Sequence, residues 1–309
     1  MDEAFATGLE PVELGALIAR RDAPGLVRLG LQLALGVGSG VALVLAEHPG
    51  VLAGAFGAQV LVQLSCFATL HECVHETAFR SPALNRLGAW FAALCQLMSP
   101  PLMRAFHFTH HRHTHDLEDD PELAGLELMA RWPRHVLWLG TVSGLPVLLG
   151  RLAFTLVAAV NPPWAVFRKA LPFVRERRRR DVVWSSRLLV AIHAGVIALA
   201  VLVEPRLARL YPAVVAAHAL LSVYITCEHR GLPTEGSIFE RTRSFDPGAL
   251  GRFVMWNMPY HAEHHAYPGV PFHALPALHT RLRPQLVHRV GGVAGIHLRA
   301  GRSPARAGA

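Results

Sequence analysis

Nine of the nineteen histidines in this chain gather in four short segments: His71-x3-His75, His107-x2-His110-His111, a lone His229, and His261-x2-His264-His265. Neutral imidazole is a ligand for iron, zinc, copper and nickel. Residues three and four apart project from one side of a helix, so each cluster can aim two or three rings at one point. The x2-His-His spacing occurs twice, and the pattern predicts a metal site. In the second segment His107, His110 and His111 form the i, i+3, i+4 set, whereas His113 and His115 fall on other faces and suit supporting or surface roles. The acids Asp116, Glu118, Asp119 and Asp120 follow, and such carboxylates can orient ligating imidazoles by accepting their remaining N–H protons. A solvated acidic loop is the plainer alternative for them. His229 is a weak signal by itself and gains weight only from the clusters around it.

Two other chemistries compete for the same residues. His71-Glu72-Cys73-Val74-His75 also fits H-E-x-x-H, in which two histidines bind zinc and the glutamate acts as base. A zinc protease needs one more ligand, which leaves the remaining clusters without work, and Ala78 stands where the extended form of the motif has glycine. The third reading is a histidine-rich metal transporter or metal-binding protein.

The elements that must position these residues are apolar. The chain has 309 residues, 52% of them hydrophobic, and a mean hydropathy of +0.31, richer than a typical soluble enzyme. A net charge of +8 rests almost wholly on arginine, Lys169 being the only lysine, and sits in short segments between apolar runs. That distribution suits cytoplasmic loops of a membrane protein and argues against nucleic-acid binding. The cysteines Cys66, Cys73, Cys95 and Cys227 form no C-x-x-C pair and read as small buried hydrophobes. Met1 to Glu10 has acids and no basic n-region, so a cleaved signal peptide is not expected.

Two runs, Leu26–Ala46 and Val51–Leu70, have the roughly 20 residues needed to cross a bilayer and are joined by Glu47-His48-Pro49-Gly50. Leu188–Val203 and Leu207–Cys227 offer a second hairpin around Glu204-Pro205-Arg206. Arg20, Arg21 and Arg28 precede the first, and Arg175, Arg177 to Arg180 and Arg187 precede the second, which places both hairpin mouths in the cytoplasm. His71 and His229 then emerge on that face. Leu84–Met98 is short and reads as an interfacial helix, and Val136–Val160, interrupted by Gly144 and Pro146, as a re-entrant or interfacial pair. The expectation is an all-α, multi-pass membrane protein with two transmembrane hairpins, interfacial helices and a cytoplasmic histidine-rich di-metal cap. One domain spans 1–309, with a core over about 26–285 and a disordered tail at 300–309.

The run HECVH, HFTHH with Asp120-Pro121 beyond it, EHRG, and HAEHH followed by YPGVPFHALP is similar to the integral-membrane fatty acid desaturase superfamily, which includes hydroxylases and carotenoid ketolases. The resemblance covers about residues 26 to 285. It implies a di-iron oxidase that uses dioxygen on a lipid acyl substrate, with ligands His71, His75, His107, His110, His111, His229, His261, His264 and His265. Asp120 would be a supporting residue, and Asn257, four residues before the third box, a water-mediated position. The third box opens with His261 rather than the Gln of some front-end desaturases, which disfavours that branch. His48-Pro49-Gly50-Val51 resembles part of a cytochrome b5 haem motif but sits in a hairpin turn, so the electron donor is expected to be a separate ferredoxin or cytochrome b5 type protein.

An alkyl C–H bond offers side chains no acid, base or electrophile to act on, so a metal-oxygen species must supply the oxidising power. Loss of two hydrogens gives an alkene and oxygen rebound an alcohol. No motif encodes which. The acyl chain is expected to enter between the hairpins past Phe56–Leu70 and Val214–Val223, where ordinary helix packing explains the same residues, so no substrate-binding residue is assigned. The Arg175–Arg180 run reads first as a topology anchor beside anionic lipid and second as a dock for an acidic carrier.

Overall fold

A computed structural model describes residues 9–124 and 132–300. Four helices lie in stretches long and apolar enough to cross a membrane: α1 (Asp22–Leu45), α2 (Pro49–His75), and two later ones, Arg179–Leu202 and Tyr211–His229. They form two hairpins. The first turns at His48, whose ring accepts a hydrogen bond from Gly50 N at 3.1 Å, while Pro49 opens α2 where its missing N–H is no loss. The second turns through a 3-10 segment, Pro205–Leu210.

The apolar runs underestimate the helices. Nothing in Leu70–His75 breaks α2, which stops only at Glu76 (φ 62°), so His71 and His75 ride its last turns instead of following it. At 27 residues α2 is about 40 Å long, more than the roughly 30 Å of a hydrocarbon core. The third spanning helix likewise begins at Arg179, not Leu188, and the fourth ends on His229 itself.

Two shorter hairpins fill the space between. α3 (Pro82–Gln96) and α4 (Pro100–Arg112) form the first. The start of α3 is tied to the start of α1, since Ser81 N donates to Asp22 Oδ1 at 2.9 Å. From the surface position expected for Leu84–Met98 the helix runs inward, and Gln96 Nε2 donates to the Gln63 carbonyl at 2.7 Å. Gln63 lies eight residues, about 12 Å, before His71 on α2. At the tip Ser99 meets Ser185 and Ser186 at 3.0 and 3.2 Å, and α4 then climbs back with the second histidine cluster.

The second pair, α5 (Arg134–Ser143) and α6 (Leu145–Val160), is bent by 63° at Gly144. Gly144 has φ +66°, and a Cβ there would fall 2.4 Å from the His218 carbonyl oxygen, so only glycine allows this approach. His218 is eleven residues, about 16 Å, from the histidine end of its helix. From that depth α6 returns to the histidine end, where Arg187 Nε donates to the Ala159 carbonyl and Arg179 Nε to Asn161 Oδ1, both at 2.8 Å. We label the third and fourth spanning helices α7 (Arg179–Leu202) and α8 (Tyr211–His229).

Beyond α8 the chain builds a cap. Its short helix α9 (His261–Ala266) rests through Ala262 on a separate apolar cluster that includes Phe239, Val270, Leu275, Leu278 and Leu282. A three-residue parallel pair, Ser244–Asp246 with Arg289–Gly291, is the one departure from an all-helical chain among the described residues. All four cysteines are free; Cys66, Cys73 and Cys227 are buried and Cys95 partly so. Of the tail expected at 300–309, all but Ala300 lies outside the described residues, as do the first eight residues of the amino-terminal segment.

Candidate metal centre

All nine histidines of the four segments converge, but each cluster serves two points, not one. His71, His75, His107, His111 and His264 form one group of potential donors, and His110, His229, His261 and His265 form another, with the donor atoms of each group within 4.8 Å of one another. The i, i+4 pairs stay together and the residue three along crosses over. On α4, His107 and His111 share a group while His110 turns to its neighbour; on α9, His261 and His265 pair while His264 crosses the other way. The groups adjoin, with the His111 and His265 rings stacked at 4.2 Å.

The nitrogen spacings test whether metal ions fit. His75 Nε2 lies 2.9 Å from His107 Nε2, which lies 2.9 Å from His111 Nε2, itself 3.1 Å from His264 Nε2. In the other group His261 and His229 approach at 2.9 Å and His110 and His265 at 3.3 Å, again through Nε2. Each such nitrogen has either one proton or one lone pair, so His107 and His111 cannot make good hydrogen bonds to two nitrogen neighbours at once. Adjacent donors about 2.1 Å from one ion stand about 3.0 Å apart, which is the spacing seen. His71 is fully buried with neither ring nitrogen hydrogen-bonded, an arrangement that costs about 1–3 kcal/mol per group unless a ligand bond replaces it. The residues fit two metal ions held by neutral donors.

Partners on the far side of the rings fix which nitrogen faces inward. His110 Nδ1 donates to Asp120, 3.0 and 2.9 Å from its two oxygens; His229 Nδ1 donates to the Arg241 carbonyl at 3.0 Å. Thr114 Oγ1 lies 3.1 Å from His265 Nδ1, and Glu228 Oε1 3.4 Å from His261 Nδ1. The first three leave Nε2 as the inward donor, while Glu228 Oε1 and His261 Nδ1 make no hydrogen bond to each other. Asp120, one of the four acids that follow the second cluster, thus faces a ring nitrogen of His110. Glu228 was missed, although an acid beside a histidine at the end of an apolar run was a signal; the Arg241 carbonyl leaves no mark in a sequence.

Burial first, and the neighbouring imidazoles second, hold His107, His111, His261 and His265 well below the ordinary histidine range, and bring His264 to about 3. These rings are neutral, the form that binds metal. His110 is the exception. Burial pulls it down, but the carboxylates of Glu122 and Asp120 together outweigh that and leave it raised.

Two remaining residues serve the frame. Glu72 is fully buried, and its Oε2 accepts from Thr77 Oγ1 at 2.7 Å and from Phe272 N at 3.2 Å. Asn257 lies in the left-handed region at φ 59°, and its amide donates to the Phe272 carbonyl at 3.0 Å. Together they clasp the 272 segment from both sides. His115 donates to the Pro233 carbonyl at 2.7 Å, a supporting position, and His113 stands 3.6 Å from Asp119.

No protein of curated function matches the sequence. The model of one family, described as fatty acid desaturase, matches residues 44–293, a stretch that contains all nine histidines. With that match over most of its length, this chain belongs to the fatty acid desaturase family.

Proposed function

We propose that the protein is a di-iron oxidoreductase of the membrane that uses dioxygen to remove two hydrogens from a lipid acyl chain, leaving a carbon–carbon double bond. The observation that carries this reading is the pair of adjoining all-imidazole groups at the end of membrane-length helices. When bound, two irons would supply the oxidising power that an unactivated C–H bond demands. His71, His75, His107, His111 and His264 would hold one, and His110, His229, His261 and His265 the other. Asp120 and the Arg241 carbonyl would keep the His110 and His229 rings in the right tautomer, and Asn257 would brace the loop at Phe272.

The starts of α1 and α7 and the ends of α2 and α8 share one end of the molecule, and the arginines before α1 and α7 favour a cytoplasmic site. Reducing equivalents would come from a separate ferredoxin or cytochrome b5 type protein. Hydroxylation or ketolation of a lipid or terpenoid is the nearest variant at the same site. The zinc-protease reading is weakened by Glu72, which is packed against Thr77 and Phe272, and by a five-histidine group where such an enzyme keeps an open position.

The test combines metal analysis of the purified protein with lipid profiling of a host expressing it. Two irons per chain and a new unsaturated lipid are expected, with the product lost and membrane insertion intact in His264→Ala. Full turnover by that variant would remove the assignment, and a single zinc would return the protease.

A further inference from the structure

A cleft of about 740 Å³ opens beside the first histidine group. Phe108 lines it, and the Phe108 ring is 4.9 Å from that of His75, so one aromatic ring separates the hollow from the metal site. Six guanidinium groups from three parts of the chain surround it: Arg86 on α3, Arg104 and Arg112 on α4, and Arg175, Arg177 and Arg178 on the approach to α7. Only two carboxylates, Glu76 and Asp181, share the lining, and they are engaged by Arg104 at 3.6 Å and Arg178 at 3.4 Å. Arg112 donates to the Phe108 carbonyl and the Thr109 hydroxyl. The side chains of Arg86, Arg175 and Arg177 have no hydrogen bond or ion pair among the described residues.

A topology signal needs cations along one loop. Here three separate elements fold them round a hollow whose size is that of a small-molecule site, about 300–1,000 Å³, with Trp90 and Phe173 as apolar lining. A concave site of this size suits a small multivalent anion better than the convex surface of a carrier protein. Guanidinium forks match phosphate oxygens two at a time. Resting on the acyl-oxidase reading above, we infer that this cleft binds the phosphate-bearing head group of the acyl substrate and so anchors the chain at a fixed distance from the histidines. The phosphate could belong to a membrane phospholipid or to a soluble nucleotide thioester.

The full-length, iron-loaded protein is titrated with adenosine 3′,5′-bisphosphate, with phosphatidylglycerol vesicles and with vesicles of an uncharged galactolipid. The same titrations follow for Arg86→Gln/Arg175→Gln/Arg177→Gln, whose unpaired, exposed side chains leave the fold intact, as equal metal content and melting temperature will verify. Each exposed charge contact is worth about two- to fivefold, so binding of a phosphate probe should weaken by at least about tenfold in the triple variant. The KM for a phosphate-bearing acyl substrate should rise with it while kcat holds. A response to the nucleotide marks a soluble thioester, and a response to phosphatidylglycerol alone marks a phospholipid. Equal binding by variant and wild type, or galactolipid vesicles held as tightly as phosphatidylglycerol, would overturn the inference. So would a triple variant altered only in its KM for an acidic electron carrier, which would make the cleft a protein dock. Binding is read without turnover, so an inactive wild type would count against the oxidase reading and leave this site standing.

Discussion

Asp120 offers the sharpest test of the two-group arrangement, because it touches one group only. Its Oδ1 is 3.0 Å from His110 Nδ1 and 2.9 Å from Glu122 N; its Oδ2 is 2.9 Å from His110 Nδ1 and 2.7 Å from His115 N. Asp120→Asn keeps the shape but replaces one oxygen by a donor, which must then face the N–H of His115 or Glu122 in a site only 3% exposed. An unsatisfied buried donor costs about 1–3 kcal/mol of stability. His110 still finds an acceptor, but a neutral one, and loss of such a supporting carboxylate lowers metal affinity about 10- to 100-fold, or about 1.4–2.7 kcal/mol. The assay is bound iron per chain across a series of buffered free-iron concentrations. The expected curve splits: the His110 group loads at higher iron while the His71 group loads as in wild type, so intermediate concentrations give one iron where the wild type holds two. A variant that loads both groups at wild-type concentrations, or weakens both equally, would refute the reasoning.

Glu72→Gln should leave lipid oxidation nearly unchanged, since a glutamine oxygen can accept from Thr77 and Phe272 as the carboxylate does, whereas loss of a protease base lowers the rate about 10²–10⁴-fold; a collapse of that size in lipid oxidation would sink the structural role. In the metal-free protein, the depressed pKa values of His107, His111, His261, His264 and His265 mean the unfolded chain binds more protons below about 6.5, so stability falls as pH drops through that value and, for His264, on toward 3. His110, raised, has the opposite sign and gives up its contribution as pH rises, offsetting part of the trend; a melting temperature of chelated protein that climbs on acidification from about pH 7 to 5 would contradict this balance. Gly144→Ala should lower stability by at least about 1–2 kcal/mol from its left-handed backbone alone, with more from the clash at His218, and an unchanged melting temperature would show that the bend does not need glycine.

The spanning hairpins were legible because lipid demands about twenty apolar residues and little else satisfies that pattern. Their ends were not. His71, Glu72 and His75 are polar yet perfectly able to continue a helix, so hydropathy stopped at Leu70 while the helix went on. The inward course of α3 was hidden for a different reason: the contact that fixes its depth, Gln96 to Gln63, joins residues far apart in sequence, and fifteen residues read alone are too short to announce a crossing. The break at Gly144 was visible as Gly144 and Pro146, but its depth comes from the backbone of α8, which no local pattern carries.

The division of the histidines was the most recoverable thing the spacing held. Three and four residues along a helix subtend about 300° and 400°, so i and i+4 lie about 40° apart and i+3 lies about 100° from i+4. An ion close to the helix surface can take the first pair but not all three rings, and the third must serve a neighbour. His71 with His75 and His107 with His111 obey this in one group, and His261 with His265 in the other. His110 and His264 are the exchanged members, so each group depends on donors from both α4 and α9. The His110 group has only two of its four donors until the cap has docked on the membrane hairpins, and the other group has four of its five, so full metal loading would report on the assembly of the whole fold. Breaking the cap contact far from any ligand, at the apolar cluster of Leu275 and Leu278 beneath α9, should therefore cost both groups donors, emptying the His110 group and weakening the other, in contrast to the one-sided loss at Asp120.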